Sequence, residues 1–273
     1  MDQLTAHLDR GWDLAANGDA RGAEAAARLA LEIDPNAPEV HNLLGYVAAL
    51  SGEAEEAVEH YRNALALDEG YFDAMLNAAE VLVHPLAQFD EAVSMCDEAL
   101  TWAETDEEIA DAILIKVEAL LGCGDDESAR RALGMVPAGP FEHERYDFLI
   151  GRAYFDVGMI DHAAELIERT ITRDDQHAEA HYYRGMIRDA RGDIVGATSS
   201  FLRVRVLDAQ PPEPPWTLAP PAFERVVTQS ISSLTPALRR FVDGAEVFVT
   251  PLPETEAKAA ERVVVTRVML LPR

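Results

Sequence analysis

Small, apolar and aromatic residues return at helical spacing along the first three quarters of this chain, and glycine interrupts them at regular places. Gly11, Gly18, Ala23, Ala27, Ala30 and Pro35 begin the series; Gly45, Gly52, Ala57, Tyr61 and Ala64 repeat it, and Gly185, Gly192, Ala197 and Phe201 repeat it again. From Gly11 to Gly45 is 34 residues, and from Gly151 to Gly185 is 34 again. The wording is shared too: Ala178-Glu179-Ala180-His181-Tyr182-Tyr183-Arg184-Gly185 echoes the stretch from Ala37 through His41 to Gly45. A period of this length predicts two helices and a tight turn per unit. One such unit cannot bury its apolar side alone, so the units must stack into a solenoid.

The pattern resembles the tetratricopeptide repeat, a 34-residue helix-turn-helix unit with small residues at positions 8, 20 and 27 and often proline at 32. Small residues at positions 8 and 20 let two helices approach closely, and the glycine at position 15 ends the first helix. The resemblance implies an all-α superhelical solenoid of about six repeats over residues 1 to 209, with units at residues 4–37, 38–71, 72–105, 110–140, 144–177 and 178–209. Two units depart from the pattern. In the third, His84-Pro85-Leu86-Ala87-Gln88-Phe89 replaces the glycine turn, and in the fourth the first-helix glycine is missing and Met135 to Pro140 close the unit early. A bend or change of pitch is expected near residues 84 and 137.

After Leu207 the composition shifts. Gln210-Pro211-Pro212-Glu213-Pro214-Pro215-Trp216, followed by Ala219-Pro220-Pro221, reads as a stiff extended linker over residues 210 to 221. Residues 222 to 273 then read as a small α+β segment: an amphipathic helix from Phe223 to Leu234, a short helix from Pro236 to Val242, a strand at Glu246 to Thr250 and a second from Arg262 to Leu271. Residues 223 to 253 look like the opening of a bacterial zincin-like metallopeptidase domain. That family carries its metal on His-Glu-x-x-His, and this chain has no histidine after His181. The resemblance therefore implies a truncated or degenerate domain without peptidase activity.

Charge narrows the choice of partner. The chain of 273 residues holds 49 acidic and 23 basic side chains, a formal charge of −26, which argues against nucleic acid or an anionic membrane. Residues 1 to 105 alone account for −17, and residues 210 to 273 balance at seven of each sign. Such a field favours a basic partner; the same carboxylates on an outer face keep a long solenoid soluble. Two cysteines, Cys96 and Cys123, exclude a disulfide framework and fit a reducing compartment, both reading as small buried hydrophobes. Neither end of the chain offers a leader or an apolar span, so a cytoplasmic location is expected.

The family resemblance implies a protein-binding scaffold, with a peptide or protein segment held on the concave face made by the first helix of each unit. Inner-face positions fall on Leu8 and Trp12, Asn42 and Tyr46, Leu76 and Glu80, then Arg145, Phe148, Arg152 and Phe155, and finally Glu179, Tyr182, Met186 and Asp189. Of these, Trp12, Asn42, Tyr46, Arg145, Phe148, Arg152, Tyr182 and Met186 are the candidate ligand contacts, since aromatics and arginine dominate interface energetics. The aromatics could equally pack between neighbouring helices, and the arginines pair with nearby acids such as Glu144 or Asp156. End-to-end stacking into a homo-oligomer also stays open.

No catalytic group, cofactor or metal site is expected. His177 and His181 share a helical spacing, but His181 repeats the position of His41, which suggests a packing or turn role, and no third ligand is at hand. His143-Glu144-Arg145-Tyr146-Asp147 puts aspartate where a zinc peptidase needs its second histidine. Paired acids such as Asp174-Asp175 fall at turns, where carboxylates satisfy backbone donors. The competing class is an enzyme, a zincin-like peptidase with the array gathering its substrates.

Overall fold

The computed structural model describes residues 3–208, 220–236, 246–250 and 262–266. The chain divides into two compact units, Met1–Phe201 and Leu202–Arg273.

The first unit is a run of antiparallel helix pairs: α1 (Gln3–Ala16) with α2 (Ala20–Ile33), α3 (Pro38–Leu50) with α4 (Ala54–Leu67), α5 (Phe72–Val83) with α6 (Phe89–Trp102), α7 (Asp106–Gly122) with α8 (Asp126–Leu133), and α9 (Arg145–Asp156) with α10 (Ile160–Arg173). A sixth pair follows in α11 (Ala178–Ala190) and α12 (Ile194–Asp208), the latter straddling the division between units in sequence. This is the all-α repeat solenoid expected from the 34-residue period. Neighbouring first helices touch one another along α1, α3, α5, α7, α9 and α11, so they form the inner layer of the stack.

Small residues at two positions let the paired helices approach, although the fourth pair has only the second of them. The alanine that begins the second helix's inner face is Ala23, Ala57, Ala92, Ala129, Ala163 and Ala197 in the six pairs, and every one is buried. A larger side chain there would force the two helices apart. The opposite arrangement appears at Gly45 and Gly185. A Cβ on Gly45 would lie 2.5 Å from Tyr61 Cε1, and one on Gly185 would lie 2.5 Å from Phe201 Cε1. Glycine on the first helix is thus a socket for the aromatic ring sixteen residues on.

The turn between the helices of a pair repeats with equal regularity. Gly18, Gly52, Gly124, Gly158 and Gly192 all have φ between 76° and 82°, the left-handed conformation that closes a helix without a Cβ clash. The residue after each donates its backbone N–H to a carbonyl five residues back, as in Glu53 to Ala48 at 2.9 Å and Asp193 to Arg188 at 2.9 Å. In the third pair, Ala87 takes the positive φ of 53° instead, after a cis His84–Pro85 bond. The longer turn swings Phe89 inward, where its ring would meet a Cβ on Gly122 of α7 at 2.5 Å.

Between pairs, aspartate does the capping. Asp34, Asp68 and Asp174 accept hydrogen bonds from the backbone N–H two residues on at 2.9–3.0 Å, the local role expected of the paired acids. His41 Nε2 and His181 Nε2 each donate to the carbonyl six residues earlier, Pro35 O at 3.0 Å and Asp175 O at 2.9 Å. His177 Nδ1 accepts from Ala180 N as the N-cap of α11. These histidines fasten turns.

The fourth pair departs most from the pattern. A capping box, Thr105 with Glu108, starts α7 at Asp106, ahead of the unit boundary expected at residue 110. Helix α8 is short, eight residues, and closes before the cis Gly139–Pro140 bond.

Cys96 lies fully in the core of α6, and burial pushes its thiol up to about 12. Cys123, expected to be buried, is exposed, because it sits in the α7–α8 turn rather than on an inward helix face. Ellman's reagent is therefore expected to titrate one thiol per native chain, with the second reacting only after urea unfolding. Two fast thiols in the folded protein would contradict the packing of α6.

The second unit contains α13 (Pro220–Ser232) and two parallel strands, β1 (Glu246–Thr250) and β2 (Arg262–Thr266), paired from Glu246 opposite Arg262 to Thr250 opposite Thr266. Helix α13 begins at Pro220 rather than Phe223, since proline at the first helical positions needs no N–H partner. The strand expected to reach Leu271 is described as far as Thr266. Most of the linker and of the short helix expected from Pro236 to Val242 lies outside the described residues.

Candidate functional site

The inner layer of first helices carries the candidate contacts, and the structure sorts them into three groups. Trp12 on α1 and Tyr46 on α3 are half-buried and lie against each other, with ring centroids 5.2 Å apart and planes tilted by 56°. Both residues stay partly exposed, and their contact bridges the first two pairs. Tyr182 on α11 is 46% exposed, with its inner edge against Tyr183 and Phe201, and Met186 is half-buried one turn further on.

Asn42 and Phe148 are different: both are buried by neighbouring helices. Asn42 is 1% exposed. Its Nδ2 donates to Tyr71 Oη at 3.3 Å, and its Oδ1 accepts from Asn77 Nδ2 at 3.0 Å. Asn42 and Asn77 thus tie α3 to α5, and a buried amide so engaged has little left to offer a ligand. Phe148 is buried against His177 at 4.5 Å and Tyr183 at 5.8 Å, with Phe155 closing the cluster from the other side of Tyr183. It packs α9 on α11.

The arginines form the third group. Arg145 is exposed; its Nη2 donates to Tyr146 Oη at 3.2 Å and lies 3.8 Å from Asp111 Oδ2. Tyr146 Oη in turn donates to Asp111 at 2.9 Å. Burial holds the Asp111 carboxyl above the ordinary aspartate range, against the lowering effects of Tyr146 and Arg145. Arg152 donates to Glu118 Oε1 at 3.2 Å, and His84 Nε2 lies 3.2 Å from the other oxygen of that carboxylate. The arginines do pair with acids, but with those of α7 rather than with Glu144 or Asp156. His143 adds a third link, to Glu107 through both its backbone N–H and its Nδ1.

A pattern the sequence reading missed explains these pairs. Asp111 and Arg145 are 34 residues apart, as are Glu118 and Arg152, and His84 and Glu118. Residues one period apart sit side by side on neighbouring first helices, so opposite charges at that interval mark contacts between units. The fourth unit's missing glycine hid its inner-face positions Asp111, Leu114 and Glu118. Asp147, 6% exposed, was likewise unforeseen: Arg169 and Arg173 of α10 each donate to one of its oxygens at 2.5 Å.

What stays unpaired is of one sign. Glu39, Asp73, Glu80, Glu179 and Asp189, on or beside the inner-face positions, are exposed and in no ion pair among the described residues, whereas both inner-face arginines are engaged. The described part of this layer therefore presents carboxylates and aromatic edges. No three His, Cys, Asp or Glu side chains gather as a metal-binding group among the described residues, and no described helix is long and apolar enough to cross a membrane.

Comparison with known proteins agrees with this architecture. The tetratricopeptide repeat family model matches residues 8–84 and 148–214, leaving out the stretch that holds the altered turn and the fourth pair. No curated protein matches the sequence. Among solved structures, PilF of Pseudomonas aeruginosa is 19% identical, with a TM-score of 0.63 over 77% of this chain and 93% of its own. PilW, a type IV pilus biogenesis factor, is 17% identical with a TM-score of 0.64 over 76% and 94%. YrrB, a tetratricopeptide protein with an unusual peptide-binding site, is 20% identical with a TM-score of 0.50 over 68% and 93%. At such identities the likeness is one of fold. With the family model matching more than half of its residues on a stack of helix pairs, the chain belongs to the tetratricopeptide repeat family.

Proposed function

We propose that the protein is a non-catalytic adaptor that holds an extended, basic segment of a protein partner along the inner layer of its first helices. The observation that carries this reading is the combination on that layer: the open edges of Trp12, Tyr46 and Tyr182, with the unpaired carboxylates of Glu39, Asp73 and Glu80 between them. Aromatic edges accept aliphatic stems and cation faces, and carboxylates fix the charged ends. Arg145 and Arg152 serve the scaffold, locking α9 to α7 through Asp111 and Glu118. YrrB, of similar fold, has a peptide-binding site, which supports a peptide as the class of ligand.

The test begins with capture and identification of a partner from source lysate, followed by affinity measurement on the purified pair. Trp12→Ala combined with Tyr46→Ala is expected to weaken binding about a hundredfold, the loss of two aromatic anchors. Tyr182→Ala, on an exposed ring, is expected to weaken it about tenfold. Circular dichroism and thermal melting check that each variant keeps its helices. Affinity should also fall as salt is raised, because the attraction is between exposed charges. Unchanged affinity in both variants, with helices intact, would overturn the reading.

A further inference from the structure

A second cleft lies on the opposite side of α3. It is about 570 Å³ in volume, and it is lined by Glu24, Arg28 and Leu31 of α2, by Leu44, Val47, Ala48 and Ser51 of α3 with its C-cap, and by Glu53, Glu56 and His60 of α4 with its N-cap. Leu44, Val47, Ala48 and Ser51 are spaced as one face of a helix, and Tyr46 falls on the other. The cleft is therefore separate from the inner layer.

Its chemistry is divided. Leu31, Leu44, Val47 and Ala48 make an apolar floor, and carboxylates stand around the rim. Arg28 is already held by Glu24 at 2.6 Å, and Ser51 Oγ is spent on Val47 O at 3.0 Å. Glu53 caps α4 without a side-chain hydrogen bond and meets no cation among the described residues. Glu56 has only His60 Nε2, at 3.8 Å. His60 Nδ1 is fully buried and has no hydrogen-bond partner among the described residues. His41 stands behind it, ring centroids 6.2 Å apart, with Nδ1 equally unpartnered and Nε2 committed to Pro35 O. Carboxylates left without a cation around an apolar floor suit a charged donor carried on an aliphatic stem.

We infer that this cleft binds an arginine side chain of a protein partner, its aliphatic stem on the apolar floor and its guanidinium shared between Glu53 and Glu56 at the rim. The stem and fork of arginine suit a site that is apolar at its base and offers several acceptors at its edge. Burial lowers the affinity of His60 for a proton, chiefly through desolvation, with His41 adding to it and Glu56 and Glu59 opposing. The ring accordingly stays uncharged at neutral pH and does not repel a cation in the cleft.

The test is a titration of the isotope-labelled full chain with N-acetyl-arginine amide, followed by amide chemical shifts. Shifts centred on α2 to α4 are expected, with Glu53→Gln plus Glu56→Gln weakening binding about tenfold or more. N-acetyl-citrulline amide, which keeps the shape and loses the charge, should bind at least as weakly to the native chain. Shifts confined to the inner layer, citrulline binding as well as arginine, or undiminished affinity in the folded double variant would each overturn the assignment. Spermidine binding the cleft more tightly than the arginine probe would overturn it too, by giving the site to a free polyamine.

Discussion

Replacement of Gly45 by valine is expected to cost about 3 kcal/mol, the upper range for overpacking a tight core. Three Tyr61 ring atoms lie within 2.9 Å of where the new Cβ would stand, and Tyr61 is itself 1% exposed, so the ring has nowhere to go. Alanine at the same position should be less damaging, because leaving glycine in mid-helix gains about 1 kcal/mol of helix propensity. The decisive measurement is a double-mutant cycle by urea denaturation. In a Tyr61→Leu background the clash is gone, and Gly45→Ala should become neutral or stabilising. If it stays as harmful there as in the native chain, the socket between α3 and α4 is not what makes glycine necessary. Gly52 offers a contrast in cause: nothing lies within 4 Å of its Cβ position, and its φ of 82° alone should make alanine cost about 1 kcal/mol or more.

The second large effect concerns Asp147. Removing both of its partners, by Arg169→Leu with Arg173→Leu, is expected to cost about 3–5 kcal/mol, because it strands a buried carboxylate. Adding Asp147→Leu to that pair should restore most of the loss, since an apolar triad of similar volume needs no compensation. Denaturation midpoints for the double and triple variants decide this: a triple variant no more stable than the double would mean the carboxylate is not the source of the cost. By contrast, breaking the exposed pair of Arg131 and Glu127, four residues apart on α8, should change stability by less than about 1 kcal/mol.

The inner layer shows how far a repeat can be read and where reading stops. Trp12, Tyr46, Tyr182 and Met186 fall on first helices because the period assigns each residue a position in its unit. Asn42 and Phe148 share that periodic placement and are nonetheless buried. Position 5 of the unit lies between two first helices, and whether its side chain is covered depends on the neighbour's side chains. Asn77 and Tyr71 cover Asn42; Tyr183 and His177 cover Phe148. The acids of α7 are harder to place from sequence because their unit lacks the glycine that sets the register. The interval of 34 residues between Glu118 and Arg152 carried the same information.

What the amino-acid sequence determined by itself is the repeating part of the protein. The 34-residue period, the left-handed glycine that closes five of the six first helices, the alanine at each close approach and the aspartate at three of the inter-unit turns are local requirements, met within one or two units. Only the tertiary structure decided what depends on two neighbours at once: that Arg145 and Arg152 are spent on Asp111 and Glu118, that Asp147 is buried between two arginines, and that a cleft with an apolar floor opens behind α3. Stacking fixes which helices meet. The side chains each brings to the contact then decide whether a charge is paired or left facing a partner, and no single unit contains that information.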